Sequence, residues 1–213
     1  MGRDMTGGRA ITGAVALAAV TLAGCTSLPL GASTHSAASA ASSALSLKSK
    51  SVFSGHSGPA HTISTPTQLD SYTRSPGLEK AMNIKQLGEQ VVKGSSGQAS
   101  NVLSAVYVQG NVTPGPGSNQ QMFMFVGGHL ANTDPVASIA NFERQYPSAQ
   151  AVPAGSLGGE AACATTAASN ESAAMCIWFD NDSFGTLVSP TMSSAKLANT
   201  LDTVRPGIEQ ADQ

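Results

Sequence analysis

The chain has 213 residues, 41% hydrophobic, 11% charged and 5% aromatic, a length that fits one ordinary domain with accessory segments rather than several domains. A formal charge of -2 and a pI near 6.0 provide no basic surface of the kind a phosphate backbone demands, which argues against nucleic acid as a partner. Charged residues fall well below the roughly 25% of typical soluble domains while Gly, Ala, Ser and Thr are abundant, so long stretches build no core.

The N-terminus reads as an export signal. Arg3 and Arg9 give a basic start, and an uncharged apolar run follows from Ile11 to Ala23, about 13 residues against the roughly 20 that a membrane-spanning helix needs. The run ends in Leu22-Ala23-Gly24-Cys25, which resembles the lipobox of bacterial lipoproteins. That resemblance implies cleavage before Cys25, a diacylglyceryl group on its thiol, and attachment to the outer face of the cytoplasmic membrane. Small side chains at 23 and 24 suit close approach by a membrane peptidase, and a thiol is the group that can carry a thioether lipid. Two or three acyl chains hold a protein at a bilayer where one does not. Residues 1–24 are thus expected to be a signal peptide, with lipidation at Cys25.

From Thr26 to about Thr67 the chain is dominated by Ser, Ala, Thr and Gly, lacks acidic residues, and has Lys48 and Lys50 as its firm charges. Leu45, Leu47, Val52, Phe53 and Ile63 are too sparse to offset the ordering entropy of so long a segment. The expected organisation is a lipidated Cys25 and flexible linker over 25–69, spanning roughly 35 Å, then a folded domain over 70–213. His35, His56 and His61 fall in this linker and read as solvated side chains rather than metal ligands.

Within the domain, Leu78, Met82, Leu87 and Val91 or Val92 predict one helix over roughly 76–93, opened by Pro76 and closed by Gly94. Val102, Val106 and Val108 with Tyr107 predict a strand, and Gln121 to Val126 a second. Thr133 or Asp134 before Pro135 starts a helix that carries Val136, Ile139, Phe142 and Tyr146 at helical spacing. Three strands follow at about 160–166, 174–180 and 184–189. A last helix is expected from about Thr191 to Val204, stopped by Pro206. This order predicts an α+β fold, an antiparallel sheet of about five strands covered by helices.

Cysteine arithmetic adds one constraint. With Cys25 taken by lipid, Cys163 and Cys176 remain as a pair that an oxidising compartment permits to bond. Placed opposite each other on adjacent strands, they close a hairpin loop of about 14 residues, which contributes about 3 kcal/mol in the chain-entropy model. A two-residue turn at Asn181-Asp182 would set Phe179 against Phe184 and Trp178 against Gly185, using the tolerance of Asn and Asp for positive φ. Trp178 would then lie over the Gly185 backbone. Alternation puts Cys176, Trp178 and Asp180 on one face, with Ile177 and Phe179 on the other. Trp178 and Asp180 are the candidate ligand contacts, set against a packing role for the tryptophan. The segment from Cys163 through Cys176, Trp178 and Asp180 to Gly185 resembles small exported or membrane-anchored proteins of actinobacteria, and no activity follows from that resemblance.

A catalytic set is not assembled by any motif. Asp180-Asn181-Asp182-Ser183 approaches a calcium loop, but Phe184 takes a ligand position and Thr191 the place of the terminal acid. The glycine clusters at 114–117 and 155–159 lack the lysine of a phosphate loop. Gly55-His56-Ser57-Gly58-Pro59 ends in proline where a nucleophile elbow needs glycine. Glu160, Asp180 and His129 are the candidates for an enzyme, with Glu160 and Asp180 expected on opposite faces. No cofactor or metal is implied. The favoured expectation is a non-enzymatic, membrane-anchored binding or accessory module whose partner is an envelope protein or a small ligand; the alternative is an envelope enzyme with an active site made from scattered residues.

Overall fold

Most of the core strands carry apolar side chains on both faces, and a sheet built from such strands must be covered on both sides. In a computed structural model, which describes residues 61–110, 120–168 and 171–211, the elements are β1 His61–Ile63, β2 Gln68–Leu69, β3 Tyr72–Arg74, α1 Pro76–Ala81, α2 Ile84–Gly94, β4 Ala99–Gln109, β5 Met122–Leu130, α3 Pro135–Gln145, β6 Gln150–Val152, β7 Glu160–Ala168, β8 Glu171–Phe179, β9 Ser183–Ser189, α4 Ser194–Ile208 and β10 Glu209–Ala211. Eight strands form one antiparallel sheet in the order β2-β3-β4-β5-β9-β8-β7-β6, and β1 pairs with β10 in a separate ribbon.

The α+β class holds, but the sheet has eight strands rather than five. The three added strands, β2, β3 and β6, are two or three residues long, too short to print an alternating pattern in sequence. The folded unit also begins earlier than residue 70, because β1 and β2 lie within the stretch expected to be linker. The first helix is two helices. Asn83 between them takes a left-handed backbone at φ 50 and ψ 41, a conformation that Asn tolerates and that breaks the helical hydrogen-bond ladder. Asp134 caps α3 by accepting a hydrogen bond from the Ala137 backbone, as its place before Pro135 predicts. Pro206 does not end α4, which runs on to Ile208. Its last turn is held by tertiary contacts that outweigh the lost backbone donor: Ile208 is buried and the Arg205 side chain is anchored in the interior.

Alternation divides the core in two. On one face Ala105, Tyr107, Phe123, Phe125, Cys176, Trp178 and Leu187 pack beneath Leu197, Leu201, Val204 and Ile208 of α4. On the other, Val106, Val108, Met124, Met175, Ile177 and Phe179 pack against Ile84 of α2 and Ile139 and Phe142 of α3. The arrangement is helix, sheet, helix, with the face under α4 extended by Ile63, Leu69 and Tyr72 from the N-terminal strands.

The expected hairpins form in the expected register. Cys163 pairs with Cys176 in a disulfide across β7 and β8, and the turn between these strands includes residues 169–170, outside the described residues. Trp178 faces Gly185 and Phe179 faces Phe184. The Asn181-Asp182 turn closes through an Asp180 N–H to Ser183 carbonyl bond of 2.9 Å, but neither turn residue takes positive φ. A hairpin turn also closes with both central residues at negative φ.

Trp178 is fully buried and lies over Gly185, where a Cβ would overlap the indole. Phe125 stacks on the same ring, centroids 6.0 Å apart at 15°. Gly185→Ala should therefore displace the indole and lower stability by about 2–3 kcal/mol, read as a lower denaturation midpoint together with a red shift of Trp178 emission. An unchanged midpoint would show that the ring does not depend on the bare backbone beneath it.

Candidate functional site

Among the described residues, polar side chains gather in a buried ionic cluster at the C-terminal end of α4 and around an open cleft beside the N-terminal half of the same helix.

The cluster is built around Arg205, which is 1% exposed. Its position in α4 follows the helical spacing of Leu197, Leu201, Val204 and Ile208, so the helix delivers a guanidinium into the core. Nε donates to Glu209 Oε2 at 2.7 Å and Nη1 to the carbonyls of Ala154 at 2.5 Å and Gly158 at 2.8 Å. Nη2 donates to Asp180. The guanidinium carbon lies 5.6 Å from the Trp178 ring centroid, within cation–π range. Glu209 also accepts from Trp178 Nε1 at 2.9 Å and from the Ser183 hydroxyl. Buried charges persist only when paired and hydrogen-bonded in this way.

His61 completes the cluster from the N-terminal strand. Its Nδ1 lies 2.9 Å from Asp182 Oδ1 and 3.9 Å from Glu209 Oε1, and its backbone N–H donates to Asp182 Oδ2 at 3.0 Å. Burial disfavours the imidazolium, but the Asp182 hydrogen bond and the charges of Glu209, Asp182 and Asp180 outweigh it and hold the His61 pKa above the ordinary value. Burial also raises the Asp180 carboxyl, helped by Glu209 and opposed by Arg205 and His61.

The sequence-predicted residues meet different fates. Asp180 joins this cluster, while Trp178 is 0% exposed; as placed, neither presents a surface to a ligand, because packing and Arg205 occupy both. His61 is not a solvated linker residue but a buried one, since pairing of β1 with β10 carries it over the Asp182 turn. Glu160 is exposed and lies opposite Phe179, on the sheet face away from Asp180, as expected. His129 is half-buried and pairs with Ser183 across β5 and β9; the three candidate catalytic groups do not converge. Cys25, His35 and His56 lie outside the described residues.

Ligand atoms of His61, Asp180 and Glu209 all come within 4.8 Å of one another, a donor set that could suit a cation. Arg205 already bonds both carboxylates, so a fixed internal cation fills that role. Sequence reasoning missed Arg205 and Glu209. The available signal was an Arg and a Glu four residues apart, with the Arg in helical phase with the apolar stripe of Leu197, Leu201 and Val204 but one residue past the predicted end of that helix.

The cleft, about 520 Å³ in volume, lies between the Asp70-Ser71 turn, the facing ends of β4 and β5 at Gln109 and Gln121, and α4 from Ala195 to Thr203. Behind two of its lining residues the buried Met192 sulfur lies 3.7 Å from Tyr72 Oη and 3.8 Å from Thr200 Oγ1. Tyr72 Oη donates to Gln121 Oε1 at 3.2 Å. Nothing in the sequence announced this site, because its walls come from three separate stretches of the chain, around Asp70, around Gln109 and Gln121, and along α4.

No family model, curated protein or solved structure matches this chain.

Two outcomes follow for the cluster. Arg205→Leu leaves Asp180 and Glu209 buried without their cation and should cost about 3–5 kcal/mol, measured by chemical denaturation; a loss under 1 kcal/mol would mean that the carboxylates find other partners. For His61, a folded-state pKa above the unfolded value means that its contribution is fully present below the unfolded pKa near 6.5 and is lost as pH rises through the folded pKa. The native protein should therefore lose stability relative to His61→Gln, which lacks the titrating ring, as pH rises above the unfolded pKa near 6.5. Parallel pH profiles for the two proteins would refute that linkage.

Proposed function

We propose that this chain is a lipid-anchored extracytoplasmic protein, held at the outer face of the cytoplasmic membrane through Cys25, whose folded unit is a non-enzymatic binding or envelope-accessory module. The observation that carries the reading is Leu22-Ala23-Gly24-Cys25 at the end of an uncharged apolar run, with a Ser/Ala-rich linker after it. In support, that linker leads into β1, whose buried His61 is bonded to the domain on both its backbone and its ring, so a pull on the anchor is taken up by the fold. The disulfide suits an oxidising compartment. Binding rather than catalysis is favoured because Asp180 and Glu209 are committed to Arg205, while the cleft presents polar side chains to solvent.

Cys25→Ala should move the protein from the membrane fraction to the soluble fraction, or leave it as a longer precursor, with loss of incorporated labelled fatty acid. Full membrane retention of an unacylated Cys25→Ala protein would overturn the anchored reading.

A further inference from the structure

We propose that the cleft beside α4 binds a neutral, polyhydroxylated ligand, a segment of glycan. The inference rests on the binding-module reading and supplies its ligand class.

The lining has the donor and acceptor set that vicinal hydroxyls need. Side chains of Asp70, Gln109, Lys196 and Asn199 line the cleft, are exposed, and make no hydrogen bond among the described residues, so their capacity is available to a ligand. An amide offers both a donor pair and an acceptor, a carboxylate two acceptors and an ammonium three donors. Each sugar hydroxyl is itself donor and acceptor, and this mixture answers both roles. The formal charges, one carboxylate at Asp70 and one ammonium at Lys196, cancel. An anion would meet attraction from Lys196 and repulsion from Asp70, and a cation the reverse, so the lining carries no net preference for either sign.

The apolar surface between these groups comes from Ala195 and the carbon atoms of the polar side chains themselves, a match for the C–H faces of a sugar ring rather than for a wholly apolar ligand. A volume of about 520 Å³ lies within the 300–1,000 Å³ common for small-molecule sites.

The walls are set before a ligand arrives. Gly110 N–H donates to the Ser71 carbonyl at 3.1 Å and Gln109 N–H to the Gln121 carbonyl at 2.8 Å, fixing the turn to the strand ends. Thr200 Oγ1 donates back to the Lys196 carbonyl at 3.0 Å and Thr203 Oγ1 to that of Asn199 at 3.0 Å, so these two hydroxyls are held against the helix. Such preorganisation lowers the ordering cost of binding.

The test is calorimetric titration of the full-length protein in detergent with N-acetylglucosamine, its β-1,4 tetramer and maltotetraose, and with inorganic phosphate as an anionic control. Saturable binding of at least one sugar is expected, at least tenfold weaker in Gln109→Ala/Asn199→Ala, with phosphate silent and the thermal midpoint unchanged. Should the double variant unfold, Lys196→Ala alone serves, with a weakening of at least threefold. Monomer binding would indicate a free sugar, and tetramer binding alone a polymer; both support the proposal. No saturable sugar binding at millimolar concentration, binding unaffected by these substitutions, or binding of phosphate alone would overturn it. If sugars fail while Cys25 still carries lipid and holds the protein at the membrane, the ligand class falls and the anchored reading stands. Loss of lipidation at Cys25 removes the latter instead.

Discussion

A guanidinium buried at the end of α4 organises more of this molecule than any other single group. Arg205 is bonded to Asp180 at the β8–β9 turn, to Glu209 at the start of β10, and to two carbonyls of the loop between β6 and β7. An isolated charge in such a place would cost many kcal/mol, so the fold must bring all of these acceptors to it at once. That requirement ties the last helix, the central hairpin and a glycine-rich loop together. Gly159 shows how tight the closure is: its φ is +78, and a Cβ there would run into the Phe179 carbonyl.

The same cluster joins the two ends of the described chain. Glu209 begins β10, β10 pairs with β1, and His61 at the start of β1 returns to Asp182 in the turn next to Asp180. The segment that leads to the proposed anchor is thus secured by charge as well as by two strands of three residues each, which alone would be marginal. On the other half of α4 the helix turns polar side chains outward over the cleft. One helix therefore serves two purposes, an inward stripe that secures the fold and an outward surface available for recognition.

Trp178 shows why packing and electrostatics are hard to separate here. Its ring fills the space over Gly185 and stacks with Phe125, while its Nε1–H is satisfied by Glu209 and its face meets Arg205. The disulfide on the neighbouring pair of positions fixes the register that puts the ring there. A slip of one residue would send every side chain of β8 to the wrong face, and the covalent link excludes it.

Local signals in the sequence determined the α+β class, the capped start of α3, the cystine hairpin with its Trp178–Gly185 register, and the opposite faces of Glu160 and Asp180. Each of these follows from period, turn chemistry or covalent geometry within a few tens of residues. Tertiary structure decided the rest. Strands of two and three residues exist because neighbours pair with them, Pro206 stays inside a helix because Arg205 and Ile208 hold the last turn, and His61 leaves the linker because a partner strand lies 146 to 150 residues further on. The cleft belongs to this second group, since a surface assembled from Asp70, Gln109 and Asn199 has no spacing to read: burial and long-range hydrogen bonding, not local propensity, bring those side chains together.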